Sequence, residues 1–329
     1  MRLRKLEQSE NGLTRGLYEE VFSEDSKAFV DYYYTEKTKD NTIYVMEEEG
    51  AIAAMLHLNP YKIMVNGVEK DVNYIVAVAT KEAYRRQGYM AALLRQALCD
   101  MYEAGQSFTF LMPAAEGIYL PHDFRTVYEQ ERKYCGEKDT AYFPAKESDC
   151  EELAEWANAV LAANFQVFAK RDGAYYRRLI KEYESDGGKL MLARKDGEIS
   201  DCCIFTPEEA DTEEKPKIMV RIVDVRRMLM SVRVKSLIAV CFRVTDSIIE
   251  ENNRVVVITG TEFSGIMLMD SKPENSEGTL PVAALTDLLF GAKTVEEVCG
   301  EEGVVMSDRM REEMKKIVPL SAIYLNEVV

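Results

Sequence analysis

The stretch YIVAVATKEAYRRQGYMAALLRQAL, Tyr74 to Leu98, constrains the fold more than any other part of the chain. Apolar Val76 and Val78 end a strand, and Arg85-Arg86-Gln87-Gly88 form a basic turn centred on glycine. A helix then follows, its inward face marked by Met90, Leu93, Leu94, Ala97, Leu98 and Met101 at helical spacing. The start of a helix leaves several main-chain N–H groups without internal partners and carries roughly half a positive charge, so a phosphate can sit there. Gly88 lets that backbone come close to a ligand, and the neighbouring arginines add charge that reaches further phosphates. A solvated strand-to-helix connection is the plainer reading of the same residues. The chain has no Gly-x-x-x-x-Gly-Lys-Ser/Thr loop and no Gly-x-Gly-x-x-Gly after a strand, which excludes the two common nucleotide loops.

At 329 residues the chain is long enough for two or three domains, each with its own core. It has 47% hydrophobic and 30% charged residues and no apolar run of membrane-spanning length, which reads as a globular protein without a membrane span. The N-terminal MRLRKLEQSENGL lacks the apolar core of a secretory signal, so a cytoplasmic location is expected. Seven dispersed cysteines without a Cys-x-x-Cys pair imply neither a disulfide framework nor a metal site. A net charge of -16 repels nucleic-acid backbones and anionic lipid, so neither is an expected partner, and it suits cationic small molecules.

The pattern along the chain is of mixed α+β class. Two short helices, TRGLYEEVF and SKAFVDYYYTEK, precede three strands between Asn41 and Thr80, with Asn66-Gly67 closing a tight hairpin. QSFTFLMPA returns as a strand after the central helix. A second segment starts near Ala145, where Ser148 or Asp149 is positioned to cap the helix CEELAEWANAVLAANF. The helix GAYYRRLIKEY and two strands joined through Asp196-Gly197 follow, and the acidic PEEADTEEKP reads as a solvated linker. Strands from Ile218 onward, then three helices, make a third segment ending in PLSAIYLNEVV. Residues 1–144, 145–215 and 216–329 are the domains this pattern predicts.

The turn resembles motif A of the GNAT acyltransferases, Arg/Gln-x-x-Gly-x-Gly/Ala at the start of the helix after a central strand. Met90 stands here where that pattern has a small residue. The resemblance implies acetyl-CoA as cofactor and CoA as product. Arg85, Arg86, Gln87, Gly88, Tyr89 and Met90 would hold the pyrophosphate, and the backbone of Val76 and Val78 would pair with the pantetheine arm. Ala114 and Ala115 would form the opposite wall, and the Val78 amide would support the oxyanion. PAAEGIYLPHDF resembles the signature that sets a tyrosine beside the thioester sulfur, with Asp123 in place of a glycine. Asp tolerates the left-handed conformation that such a turn needs. Tyr119 would then be the general acid.

The whole chain is similar to the enhanced-intracellular-survival (Eis) acetyltransferases: a GNAT fold, a second GNAT-like segment, here shortened, and a C-terminal domain resembling a sterol carrier protein. That resemblance implies direct acetyl transfer to a primary amine of a small cationic acceptor, assembly into a homo-oligomer, and a terminal carboxylate, that of Val329, acting as base. The shortened segment lacks a second Arg-x-x-Gly-x turn, so no second cofactor is expected there, and no metal is expected anywhere. The competing reading is a non-catalytic protein of this fold that binds acyl-CoA or an apolar ligand. His57 reads as a structural or groove-lining residue rather than a catalyst.

Overall fold

The computed structural model describes residues 1–136, 141–207 and 215–327. The first part runs β1 (Arg2–Lys5), α1 (Arg15–Val21), α2 (Lys27–Thr35), β2 (Thr42–Glu48), β3 (Ala51–Val65), β4 (Val68–Thr80), α3 (Tyr89–Glu103), β5 (Phe108–Leu111), α4 (Glu116–Tyr119) and β6 (Arg125–Glu129). The Ser26 hydroxyl starts α2 by accepting from the Phe29 amide at 3.0 Å. Asn66 (φ 49°) and Gly67 (φ 85°) close the β3–β4 hairpin, both in the left-handed conformation that such a two-residue turn requires. Strand β1, too short and basic to show alternation, adds an edge that the sequence pattern does not reveal; it pairs with β2.

Between residues 130 and 216 come β7 (Phe143–Pro144), α5 (Cys150–Asn164), β8 (Val167–Ala169), α6 (Gly173–Ser185), β9 (Lys189–Lys195) and β10 (Glu198–Phe205). Asp196 (φ 55°) and Gly197 (φ 91°) form the expected β9–β10 turn. Asp149 precedes α5, but its carboxylate accepts from the Lys146 amide at 2.8 Å and not from a helix amide. Asp172 does cap α6, accepting from the Tyr175 amide at 2.7 Å. Most of the acidic linker, residues 208–214, lies outside the described residues.

The chain continues with β11 (Lys217–Ile222), α7 (Val225–Leu229), β12 (Arg233–Val234), β13 (Ile238–Thr245), β14 (Arg254–Thr261), β15 (Gly265–Asp270), β16 (Gly278–Pro281), α8 (Val282–Leu289), α9 (Val295–Val298), β17 (Val305–Met306), α10 (Asp308–Met314), β18 (Ile317–Val318) and β19 (Ile323–Tyr324). Here the register corrects the expected boundary at residue 216. Strand β11 does not open the C-terminal part. It lies between β5 and β6, antiparallel to both, in the sheet order β1-β2-β3-β4-β5-β11-β6. Residues 130–216 are therefore an insertion between two strands of one sheet. Strand β8 pairs with the end of β3 and β19 with β8, which draws the insertion and the chain's last strand onto the same sheet.

The C-terminal part forms its own five-stranded sheet, β15-β14-β13-β16-β17, covered by α8 and α10. It shares a continuous apolar core with the first sheet, across which the Phe108 and Phe290 rings meet edge to face at 5.5 Å. Arg221 of β11 is fully buried and donates to Asp246 at 2.6 Å. Asp246 also accepts from the Ile248 and Ile249 amides and the Asn252 side chain, so this buried pair is fully hydrogen-bonded.

Candidate active site

Strands β4 and β5 run parallel but pair at only two positions, Tyr74 with Phe110 and Ile75 with Leu111. Beyond them β4 continues to Thr80 while the chain after β5 turns away through Pro113 and Ala114, so the β4 edge from Val76 onward has no β5 partner in the ladder. On its other side β4 carries one extra residue: Val76 pairs with His57 and Ala79 with Met55, leaving three steps on β4 against two on β3. Ala77 takes up the excess with φ 48°. A bulge of this kind swings main-chain groups out of the ladder, here at Ala77 and Val78, on the stretch of β4 that has no β5 partner. Val76 is buried and Val78 half-buried against the core.

The strand leads into the basic turn. Arg85, Arg86, Gln87 and Gly88 are all exposed. Gly88, at φ 82°, is the residue from which α3 starts, and a Cβ built there would meet nothing within 4 Å. The head of a 15-residue helix thus opens onto free space. Arg86 is also left-handed, at φ 62°. The Arg85 side chain folds back to donate to the Thr80 carbonyl at 3.2 Å, bracing the turn against the end of β4. Tyr89 stacks on Tyr84 and donates to Glu48 at 3.1 Å. Met90, the departure from the small-residue pattern, is half-buried against the core.

Ala114 and Ala115 are exposed and lead into α4. Tyr119 ends that helix, 7% exposed and edge-to-face with the fully buried Phe124 at 5.9 Å. Asp123 takes the left-handed conformation anticipated for it, at φ 66°. Its carboxylate, beside Arg221 at 3.6 Å, accepts from Ser247 at 3.2 Å. The Tyr119 hydroxyl has no hydrogen-bond partner among the described residues, and burial pushes its pKa up to about 12. His57 is fully buried, with Nδ1 2.9 Å from the Tyr33 hydroxyl and Nε2 without a hydrogen-bond partner among the described residues. Burial lowers its pKa to about 3, so it is a neutral structural group.

Val329 lies outside the described residues. The tail before it is held: Gln130 Nε2 donates to the Leu325 and Glu327 carbonyls at 3.0 and 3.1 Å, and Tyr128 donates to Asn326 at 2.8 Å. Glu327 is 1% exposed, and its Oε2 accepts from Tyr175 at 2.6 Å. It lines a cavity of about 210 Å³ between the segment after α2, β3, α6 and the tail. Asn59, on that cavity wall, pairs with Tyr74 two residues before Val76, so the wall adjoins the strand that carries the bulge.

Glu182 lines the same cavity, its Oε2 bound by Tyr32 at 2.7 Å and Lys37 at 3.0 Å. The remaining oxygens, Oε1 of Glu182 and Oε1 of Glu327, are buried without a hydrogen-bond partner among the described residues. Sequence reasoning missed both acids. Tyr175, Leu179 and Glu182 do share one face of α6 by helical spacing, and an acid among apolar neighbours was the available signal.

Residues 2–127 match the acetyltransferase (GNAT) domain family, so the chain carries a GNAT acetyltransferase domain. No curated protein matches by sequence. Among solved structures the chain is similar to a probable N-acyltransferase from Enterococcus faecalis V583, a conserved protein of unknown function, with TM-score 0.77 and 13% identity over 97% of both chains. A GCN5-related N-acetyltransferase from Anabaena variabilis ATCC 29413 superposes with TM-score 0.76 and 14% identity, covering 98% of this chain and 99% of that one. Eis1 from Mycobacterium abscessus gives 0.68 and 12% identity over 96% and 97%. These likenesses are of fold, and they run the length of the chain.

Proposed function

We propose that the protein transfers an acetyl group from acetyl-CoA directly to the primary amine of a small cationic acceptor. One observation carries this reading: the gap between β4 and β5, the β4 bulge and the open head of α3 follow one another along a single stretch of backbone. The amides at the start of α3, with the exposed Arg85, Arg86 and Gln87 beside them, suit the coenzyme pyrophosphate. The free β4 edge at Val76 and Val78 suits the amide-bearing pantetheine arm, with Ala114 and Ala115 opposite. The Val78 amide donates to the carbonyl oxygen as charge develops on it.

Tyr119 assists the leaving thiolate. With its pKa near 12, full proton transfer to a thiolate of ordinary pKa about 8.5 is uphill by roughly 5 kcal/mol. The phenol therefore acts chiefly as a hydrogen-bond donor while the C–S bond lengthens. The two carboxylate oxygens without a hydrogen-bond partner among the described residues, of Glu182 and Glu327, support an ammonium-bearing acceptor, since each can accept a charge-assisted bond. The Val329 carboxylate is the proposed base, two residues beyond the anchored Glu327.

This reading includes a sterol-carrier-like C-terminal domain and a homo-oligomer. Supporting the latter, the edge strand β15 turns Met267 and Met269 outward beside Phe263, which is 90% exposed, where a free edge is ordinarily polar. Thiol release from acetyl-CoA in the presence of a panel of amines tests the activity; CoA binding without release for any amine favours the binding-protein reading. Glu327→Gln should raise KM for the amine about tenfold or more and leave CoA affinity unchanged. An unchanged KM removes the acceptor assignment.

A further inference from the structure

We propose that the insertion between β6 and β11 holds a second ligand site, for a small aromatic carboxylate. A cavity of about 420 Å³ opens between α5, α6, the β9–β10 hairpin and the final strand β19. That volume is in the range of small-molecule sites, which are mostly apolar with a few fixed polar groups. Trp156, Leu161, Phe165, Tyr176, Tyr183 and Tyr324 supply the apolar and aromatic walls. None of the residues assigned to the coenzyme, 76–90 and 114–115, lines it.

The polar groups set the sign of the ligand. Arg171, on the wall, lies 5.2, 5.7 and 5.4 Å from the ring centres of Tyr175, Tyr176 and Tyr324. Its Nη1 donates to the Tyr176 hydroxyl at 2.9 Å, but Nε is buried without a hydrogen-bond partner among the described residues. The acid nearest Nη2 is Glu327, at 4.0 Å, beyond hydrogen-bond reach. Arg132, also on the wall, spends Nε and Nη2 on a neutral acceptor, the Gln130 amide oxygen, at 3.1 and 2.7 Å.

The two wall acids are already taken: Asp201 accepts from Lys133 and from Tyr142, and Glu131 from Lys215 at 2.8 Å. In a chain of net charge -16, this cavity therefore presents two guanidinium groups without a hydrogen-bonded carboxylate among the described residues. A carboxylate forms short, paired bonds to such a fork, and a planar ring stacks among the aromatic walls. A cation would instead meet like charge, and a neutral ring would leave the fork unmatched.

Trp156, the chain's one tryptophan, is on the wall and reports occupancy directly. The intact protein is titrated with phenylacetate and 3-phenylpropionate, and separately with the corresponding amides, following Trp156 emission and, in parallel, heat by calorimetry. Saturable binding of the acids, about tenfold or more tighter than the amides, is the expected result. Arg171→Met should abolish that preference with CoA affinity intact. Should Arg171→Met fail to fold, Arg132→Gln and Arg171→Lys carry the same comparison, each expected to narrow the acid-over-amide ratio. Absence of saturable heat with any acid, equal affinity for acids and amides, or an unchanged ratio in the folded variants overturns the proposal.

Discussion

Tyr119→Phe separates chemistry from packing. The hydroxyl has no hydrogen-bond partner among the described residues, so its removal orphans none of them, and the ring keeps its contact with Phe124. Turnover should fall about 10²-fold while CoA affinity stays at the wild-type value; unchanged turnover under saturating substrates eliminates the proposed role. His57 gives a different kind of test. Its folded-state pKa of about 3 lies below the ordinary value of 6.5, so as pH falls the unfolded chain takes up this proton first. The contribution of the neutral imidazole is complete above pH 6.5 and is lost toward pH 3, with a slope approaching about 1.4 kcal/mol per pH unit. His57→Gln should therefore flatten the decline of melting temperature between pH 6.5 and 4, and parallel curves for the two proteins would contradict the assignment. The left-handed turn at Asp123 was legible in the sequence because it is local. Glu182 and Glu327 were not, because the cavity joins residues more than 140 positions apart.

At the scale of elements, the β4–turn–α3 unit follows from its residues: an apolar strand, a glycine at φ 82° and an amphipathic helix. Two substitutions at Gly88 distinguish backbone strain from ligand contact. Alanine meets no atom within 4 Å, so its cost is confined to the left-handed backbone, about 1 kcal/mol. Gly88→Ala should keep CoA affinity within a few fold, whereas Gly88→Asp, which sets a negative charge against the phosphates, should lower it about tenfold or more. Calorimetry giving equal affinity for both variants would reject the phosphate assignment. The bulge at Ala77 was not legible, because an extra residue in a strand shows only against the partner it fails to match.

For the whole molecule, the position of β11 has a direct consequence. A fragment of residues 1–144, the boundary suggested by pattern, lacks the strand that fills the space between β5 and β6. It should be unfolded or aggregated, with neither the circular dichroism nor the cooperative melt of the intact chain; a soluble, cooperatively melting fragment that binds CoA would show that β11 is dispensable. Local chemistry alone determined the long strands β2 to β4, the hairpin turns at Asn66-Gly67 and Asp196-Gly197, the inward face of α3 and the glycine at its head, since each depends on neighbours a few residues apart. Only the tertiary structure decided that β11 returns to the first sheet, that β19 ties the tail to β8, and that two acids and an arginine from distant segments line adjoining cavities. Those pairings depend on which apolar faces can be buried together, and that competition is settled by the whole chain at once.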